Sequence, residues 1–356
     1  DELLSLAAQR SNIELIPIRR FKRSLKNELL FKVTRLAQVI SRYILRRSYL
    51  IKRDFLYSEI IRDYNIQVIH CPYQDLLIVG DTPSITTVHD VQELHFPEFF
   101  SSAERATRAV KYKFCIDNSS AVIVSYEHVK KDILRYFNKP SDQVFVCLNK
   151  MDSLWFEPFL SLGKTWNREA AVSANYILYP AATWKHKNHL KLIEALKMVH
   201  RRGQHLRLIC TGHITDFFPT IKSEIEELGM SEYIEFRGIV NEEELFGLYV
   251  NALAVVVPTL YEAGSYPLME SMFIGVPVIC SSVTSLPDTI GDRDFVFNPL
   301  DGNEIAEKIV SICYDPAFWT RNLECAKSSL RRLTETGIQE RVDVVYTSLL
   351  AKDKMP

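Results

Sequence analysis

The sequence predicts an α/β protein built from two Rossmann-like domains that face a cleft. The chain has 356 residues, more than one ordinary hydrophobic core organises, so two domains are expected. Short apolar runs rich in Val and Ile are typical of buried strands. Helical stretches separate these runs, and this alternation indicates parallel sheets covered by helices, whose ligands bind beyond the carboxyl ends of the strands.

The strands of the first half are predicted from five apolar runs. These are NIELIPI (12–18), IQVIH (66–70), SITTVHD (84–90), SAVIVS (120–125) and QVFVCLN (143–149). The opening stretch DELLSLAAQR is typical of the end of a helix, so we expect an earlier strand and loop ahead of Asp1.

The second half repeats the pattern with helices between its strands. The strands are predicted at 176–181, 206–212, 233–238, 252–258, 276–282 and 295–299, and helices at 189–203, 219–229 and 241–252. Residues 152–174 show no clear period and are predicted to be the linker. The predicted domains are therefore 1–160 and 161–335, with a C-terminal helix at 336–356 that packs back on the first domain.

Composition narrows the class of protein. Hydrophobic residues make up 47% and charged residues 24% of the chain, as in folded globular proteins. The formal charge of −1 gives no reason to bind nucleic acid. Seven scattered cysteines without a C-x-x-C pair indicate reduced thiols, and no run of 18 apolar residues occurs. We therefore expect a cytoplasmic protein.

A basic segment, residues 19–53, begins at Arg19 and ends at Arg53. It holds twelve Lys or Arg and one acid, Glu28, and its apolar residues fall on one helical face. One interpretation is an amphipathic helix on an anionic membrane, which would make the protein peripheral on the inner membrane face. The other is a helix that covers its own sheet and exposes a basic face.

The segment YEAGSYPLMESMFIGVPVIC (261–280) is the main candidate site. Pro267 suits the first turn of a helix and Gly275 suits its exit, which predicts a helix at about 267–274 with Glu270 in the first turn. Free N–H groups at a helix start attract anions, and the two carboxylates, Glu262 and Glu270, can accept hydrogen bonds from hydroxyls. The arrangement suits a nucleotide sugar. The alternative is a first-turn glutamate that only complements the helix dipole.

The same segment resembles the Glu-x7-Glu signature of retaining glycosyltransferase family 4, whose architecture is GT-B. YPAATWKHKNHLKLIEAL (179–196) resembles the donor-phosphate segment of that family, and TVHD (87–90) is similar to its acceptor-domain histidine segment. The resemblance implies a metal-independent hexosyltransferase that uses a nucleoside diphosphate sugar and no further cofactor. Its acceptor would be a glycan or a lipid-linked acceptor, in bacterial surface polysaccharide or glycoconjugate synthesis.

The resemblance also implies residue roles. Glu270 would hold the nucleotide ribose, Glu262 would contact the donor sugar, and Lys187 would neutralise the diphosphate leaving group. His89 would face the donor sugar. The loop residues that would approach the donor are Ala263, Gly264, Ser265, Tyr266 and Pro267.

Two departures from the family pattern stand out. Many members carry EGFG where this chain has EAGS at 262–265, so a glycine-specific conformation is in question at Ala263 and Ser265. The family usually places an arginine a few residues before the lysine, and residues 179–186 contain none. Lys185 is the predicted substitute as a point charge, and Thr183 is predicted to donate one hydrogen bond to the donor.

Other interpretations stay open. A catalytically weak binding or scaffold protein, or a sugar-nucleotide epimerase, could use the same fold. We expect no metal site, either in HDVQELH (89–95) or in DRD (292–294), because neither offers clear ligand geometry. Asn188 is predicted to cap a helix, and His186 and His189 to be polar residues at its start.

Overall fold

In a computed structural model of the protein, the described residues are Val33, 57–148, 155–335 and 338–352. The predicted strand at 12–18 lies outside them, as does the basic segment 19–53 apart from Val33. The chain divides into two compact units, Asp1–Lys150 with Gly337–Pro356, and Met151–Thr336. Among the described helices, none combines the length and the apolar character needed to cross a membrane.

The first unit is built on a four-stranded parallel sheet in the order β1-β2-β3-β4. Its strands are β1 Ile69–Cys71, β2 Ser84–Val88, β3 Ala121–Val124 and β4 Val144–Val146. Among its described residues before 150, the α-helices are α1 Ser58–Asp63, α2 Gln92–His95, α3 Ser102–Asn118 and α4 Glu127–Tyr136. Every residue of β2 and β3 is buried, as expected for central strands covered on both faces.

The second unit holds a six-stranded parallel sheet in the order β10-β9-β8-β5-β6-β7. Its strands are β5 Tyr176–Pro180, β6 Arg207–Thr211, β7 Ile234–Phe236, β8 Ala254–Val257, β9 Val278–Ser281 and β10 Val296–Phe297. Its helices are α5 Glu157–Ser161, α6 Arg168–Ala174, α7 His189–Arg201, α8 Phe218–Glu227, α9 Glu242–Val250, α10 Tyr266–Ile274, α11 Leu286–Ile290, α12 Gly302–Tyr314 and α13 Pro316–Glu335. Parallel sheets with intervening helices in both units confirm the predicted α/β class.

The strand order of the second unit places its candidate crevice. From β5 the chain runs outward to β6 and β7, and then returns to β8 on the other side of β5. The order therefore reverses between β5 and β8. Ligands of open parallel sheets bind outside the carboxyl ends of the strands at such a reversal. The loops that follow β5 and β8 are thus the first place to look for a site.

The predicted linker at 152–174 is wrong for its described part, 155–174. These residues include α5 and α6 and belong to the second unit. Phe156 and Ala171 are fully buried in the core of that unit, and the Trp166 indole N–H donates to the carbonyl of Ala252 at 2.8 Å. Two helices of five and seven residues are too short to show a hydrophobic period in the sequence.

The last described helix, α14 (Ile338–Lys352), packs on the sheet of the first unit. Val345 and Leu349 join the core residues of β2 and β3 there. The Tyr346 hydroxyl lies 2.7 Å from Nδ1 of His70, whose Nε2 lies 2.7 Å from Oγ1 of Thr87. The chain therefore returns to its first unit after completing the second.

Candidate active site

An ion pair joins the two loops at the strand reversal of the second unit. Lys187 ends the short helical turn Lys185–Lys187 after β5, and Glu262 lies in the loop between β8 and α10. The Lys187 Nζ and Glu262 Oε2 atoms are 2.7 Å apart, and the two side chains are only 18% and 15% exposed. Two residues proposed for the donor site are therefore brought together at the predicted edge of the sheet.

Hydrogen bonds from Tyr179 and Asn188 hold the loop that carries Lys187. The Tyr179 hydroxyl donates to the carbonyl of Lys187 at 2.9 Å. Asn188 has a left-handed backbone (φ 62°), and its amide donates to the carbonyls of Pro258 at 2.9 Å and Pro299 at 2.8 Å. This corrects the predicted capping role, because the Asn188 side chain makes no capping bond to α7. It ties the loops after β5 and β8 together instead.

The glutamate loop is held by residues that follow β9. The Thr284 hydroxyl donates to the carbonyl of Glu262 at 2.5 Å, and the Ser285 hydroxyl donates to the same carbonyl at 3.3 Å. Thr284 itself has a positive φ of 51°. The loop after β9 therefore holds the backbone at Glu262, which limits the positions open to its carboxylate.

The turn between Glu262 and α10 needs a glycine at one position. Gly264 has φ 111°, a value that L residues rarely adopt, whereas Ser265 has φ −100°. Ala263 does not have a positive φ. The EAGS variation therefore keeps its glycine where the backbone requires it. Ser265 is the N-cap of α10, with its hydroxyl accepting from the amide of Leu268 at 3.4 Å.

Helix α10 begins one residue earlier than predicted. It runs from Tyr266, which is 61% exposed, and Pro267 lies in its first turn. Glu270 is consequently in the second turn, which corrects its predicted first-turn position and weakens its interpretation as a dipole-compensating residue.

Both oxygens of Glu270 accept hydrogen bonds inside the protein. Its Oε1 accepts from the Trp155 indole N–H at 2.7 Å, and its Oε2 accepts from the Tyr249 hydroxyl at 2.6 Å. Glu270 is 9% exposed and Tyr249 is fully buried. Sequence reasoning missed both donors. They lie 115 and 21 residues from Glu270 in the sequence, so no local pattern marks them.

The Thr183 hydroxyl bonds to Thr215 inside the protein and is not exposed. Thr183 is 1% exposed, and its Oγ1 accepts from the amide of Thr215 at 2.7 Å. The hydroxyl is buried between the loops after β5 and β6, and its contact with the donor stays a prediction. Lys185, by contrast, is exposed. Sequence reasoning also missed Gly212, where a Cβ would lie 2.8 Å from the carbonyl carbon of Ala181.

The two histidines beside Lys187 differ in their surroundings. His189 is 1% exposed, with its ring centroid 4.9 Å from that of Tyr179 and 5.7 Å from that of Phe236. Neither ring nitrogen has a hydrogen-bond partner, and burial lowers the pKa of His189 to about 3. His186 is half-buried, and burial lowers its pKa to about 4. His189 is the first residue of α7, as predicted, but its side chain is buried rather than exposed at the helix start.

His89 belongs to the first unit and has its own surroundings there. It directly follows β2, and its Nε2 lies 2.9 Å from the carbonyl oxygen of Pro72. The ring of Tyr73, a residue that is 70% exposed, is centred 6.1 Å from the His89 ring.

In the segment 89–95, Glu93 and His95 each interact with a side chain from outside the segment. Arg108 Nη1 donates to Glu93 Oε2 at 3.1 Å, and His95 Nε2 lies 2.7 Å from Asp132 Oδ2. In the segment 292–294, Asp294 pairs with Arg321 at 2.7 Å on the surface. Within the described ranges, no group of three His, Cys, Asp or Glu side chains is placed to hold a metal ion.

Comparison with known proteins gives a family match in the second unit. Residues 165–329 match the model of the family described as Glycosyl transferases group 1. O-antigen chain mannosyltransferase B of Escherichia coli is 27% identical over 262 residues, which cover 72% of this chain and 68% of that protein. Across four such relatives, three of them named mannosyltransferases, the chain spans 53% to 68% of their length.

Solved structures agree on the fold. Sucrose-phosphate synthase from Thermosynechococcus elongatus has a TM-score of 0.66 at 19% identity, covering 97% of this chain and 82% of that one. The Anabaena protein HepE, solved in complex with UDP, has a TM-score of 0.60 at 14% identity, covering 82% of each chain. The chain therefore has the GT-B fold, and its residues 165–329 are similar to a family of glycosyl transferases.

Proposed function

We propose that the protein transfers a hexose from a nucleoside diphosphate sugar, with retention of the anomeric configuration and without a metal ion. The acceptor is a glycan or a lipid-linked sugar of surface polysaccharide synthesis. The observation that carries the proposal is the Lys187–Glu262 ion pair at the strand reversal of a group 1 glycosyl transferase domain. The O-antigen mannosyltransferase relatives favour a hexose donor and a polysaccharide product.

The pair suits the departure of a nucleoside diphosphate. Breaking the glycosidic bond builds negative charge on phosphate oxygens, and a fixed cation stabilises that charge without reorganisation. In this role Lys187 supplies the cation, while Glu262 keeps the ammonium in place until the donor enters. The amino end of α10, which starts four residues after Glu262, adds amide donors of the same sign.

The retaining outcome rests on the carboxylates around the donor. The anomeric carbon passes through a state with oxocarbenium character. Of the two carboxylates in the donor segment, Glu262 is engaged with Lys187 and Glu270 is held by two donors. We therefore assign front-side attack assisted by the leaving group, with Glu262 contacting the donor sugar, rather than a covalent glycosyl intermediate.

A nucleotide screen tests the proposal first. Thermal unfolding is measured with UDP, GDP and ADP and with their hexose conjugates. A nucleotide present at 100 times its Kd should stabilise the protein by about 2.7 kcal/mol. The best sugar nucleotide is then followed by proton NMR during slow hydrolysis and transfer. An α-linked donor should give an α-linked product. Binding without hydrolysis or transfer would favour the scaffold interpretation, and an inverted product would exclude the retaining route.

A further inference from the structure

We propose that Trp155 and Tyr249 are positioning residues for Glu270, and that together they set the direction in which this carboxylate meets the donor nucleotide. The inference rests on the proposed function, in which Glu270 binds the donor. Neither residue needs to touch the donor itself. Each acts through a hydrogen bond to one of the two carboxylate oxygens.

The two bonds come from different elements and meet at one carboxylate. Trp155 precedes α5, Tyr249 lies in the last turn of α9, and Glu270 lies on α10. The donor–acceptor distances are 2.7 Å to Oε1 and 2.6 Å to Oε2, at the short end for bonds to an ionised group. With one bond on each oxygen, the carboxylate plane can neither rotate nor tilt without losing a bond.

Trp155 and Tyr249, the two hydrogen-bond donors, are themselves held in place by packing. The Trp155 ring is centred 5.4 Å from Phe156, 6.5 Å from Phe159 and 6.3 Å from Tyr249. Tyr249 is fully buried, and burial together with the charge of Glu270 raises its pKa well above the ordinary value. The phenol therefore stays protonated at neutral pH and remains a hydrogen-bond donor.

Two donors leave Glu270 with accepting capacity to spare. A carboxylate has about four lone-pair sites, so roughly two remain after Trp155 and Tyr249 are counted. Because the plane is fixed, those sites have fixed directions and can accept hydrogen bonds from hydroxyls of the nucleotide sugar. The benefit is preorganisation: a carboxylate that is already oriented loses less freedom on binding. This benefit is equal in the ground state and the transition state, so it should appear in donor affinity rather than in kcat.

The chain offers a matched control for each positioning residue. The buried Tyr176 hydroxyl donates to the carbonyl of Leu248 at 2.7 Å. Leu248 directly precedes Tyr249 in the sequence. The Trp166 indole donates to the carbonyl of Ala252 at 2.8 Å. Tyr176→Phe and Trp166→Phe therefore remove the same kind of bond from the same unit without touching Glu270.

The experiment compares Tyr249→Phe and Trp155→Phe with these two controls. Calorimetry gives the Kd of the nucleoside diphosphate of the best donor, kinetics give kcat, and thermal unfolding gives stability. We expect Kd to rise roughly ten- to 150-fold in Tyr249→Phe and Trp155→Phe, the range of one lost hydrogen bond to a charged group, with kcat within about twofold. The controls should lose comparable stability and keep the wild-type Kd.

The Glu270→Ala background separates positioning from general loosening of the unit. There, adding Tyr249→Phe should cost no further affinity, because the residue that it positions is gone. If Glu270→Ala weakens binding while Tyr249→Phe and Trp155→Phe behave like their controls, the positioning role is overturned and the donor site stands. If the controls weaken binding equally, the positioning role is likewise overturned. An unchanged Kd in Glu270→Ala removes the donor role of Glu270 itself, and with it this inference.

Discussion

Lys187 and Glu262 are 75 residues apart in the chain, yet their charged atoms lie 2.7 Å apart with little exposure to water. Removing one partner from such a pair leaves the other charge without compensation, which can cost more than the pair contributes. The pair is thus a poor device for stability alone. It is consistent with the proposed function, in which Lys187 binds a phosphate and Glu262 accepts from a sugar hydroxyl.

The buried His189 should make stability depend on pH. Its pKa is lowered from 6.5 to about 3 by burial, so the unfolded chain binds a proton at a pH where the folded protein does not. Unfolding is therefore favoured as the pH falls from about 6.5 towards 3, by about 1.4 kcal/mol per pH unit for this residue. His189→Phe should remove this component, and urea titrations from pH 7 to pH 4 would measure it.

The same variant should not cost stability at pH 7. Phenylalanine keeps a flat ring between Tyr179 and Phe236, and the two ring nitrogens that it replaces have no partner. His205→Gln, at an exposed position, controls for the loss of one histidine. An unchanged pH slope in His189→Phe would show that His189 is not held neutral by burial.

Gly212 should tolerate no side chain. It has φ 120°, and a Cβ there would lie 2.8 Å from the carbonyl carbon of Ala181, on the loop that leads to Lys187. Gly212→Ala should lower the free energy of unfolding by about 1–3 kcal/mol, because neither the backbone conformation nor the backbone neighbour can yield.

Gly247 provides the comparison within the same unit. It lies in α9, and a Cβ there would meet nothing within 4 Å. Gly247→Ala should raise the free energy of unfolding by about 0.5–1 kcal/mol. Urea titration of both variants checks the pair, and equal effects would contradict the close approach at Gly212.

Sequence patterns predicted the sheets and the main site residues, but they did not predict contacts that depend on tertiary packing. The sheets were predictable because Val- and Ile-rich runs alternate with helices. Lys187 and Glu262 were assigned to one donor site through the family resemblance, and the parallel sheet brings the loops that carry them together. The Trp155–Glu270 bond was not predictable, because it depends on how a short helix packs. The burial of Thr183 and His189 was not predicted, because polar side chains give no hydrophobic pattern in the sequence.

Metal removal tests the charge assignment. We expect transfer and hydrolysis to keep their rates in EDTA, because Lys187 and the amides of α10 supply the positive charge that a metal would otherwise supply. Rates with and without chelator, and after adding back Mg²⁺ or Mn²⁺, are the measurement. Loss of activity in EDTA with recovery on adding either ion would require a metal in the reaction.

The basic segment 19–53 predicts binding to anionic membranes. Its twelve Lys or Arg should contribute about 1 kcal/mol for each residue that reaches the surface at low salt. Sedimentation with vesicles of rising anionic lipid content should show rising binding that salt weakens steeply. Equal binding to neutral and anionic vesicles would leave this segment a packing role only.

The steady-state kcat of Lys187→Ala tests the central claim most directly, with the donor that the nucleotide screen selects. Lys187 is assigned the charge of the leaving group, which grows as the glycosidic bond breaks, so its loss should affect kcat more than KM. We predict a fall in kcat of roughly 10²–10³, partial recovery in Lys187→Arg, and a smaller effect in Lys185→Ala. Thermal unfolding confirms that each variant is folded. A near-normal kcat in folded Lys187→Ala would contradict the account, because the reaction would then proceed without its main cation.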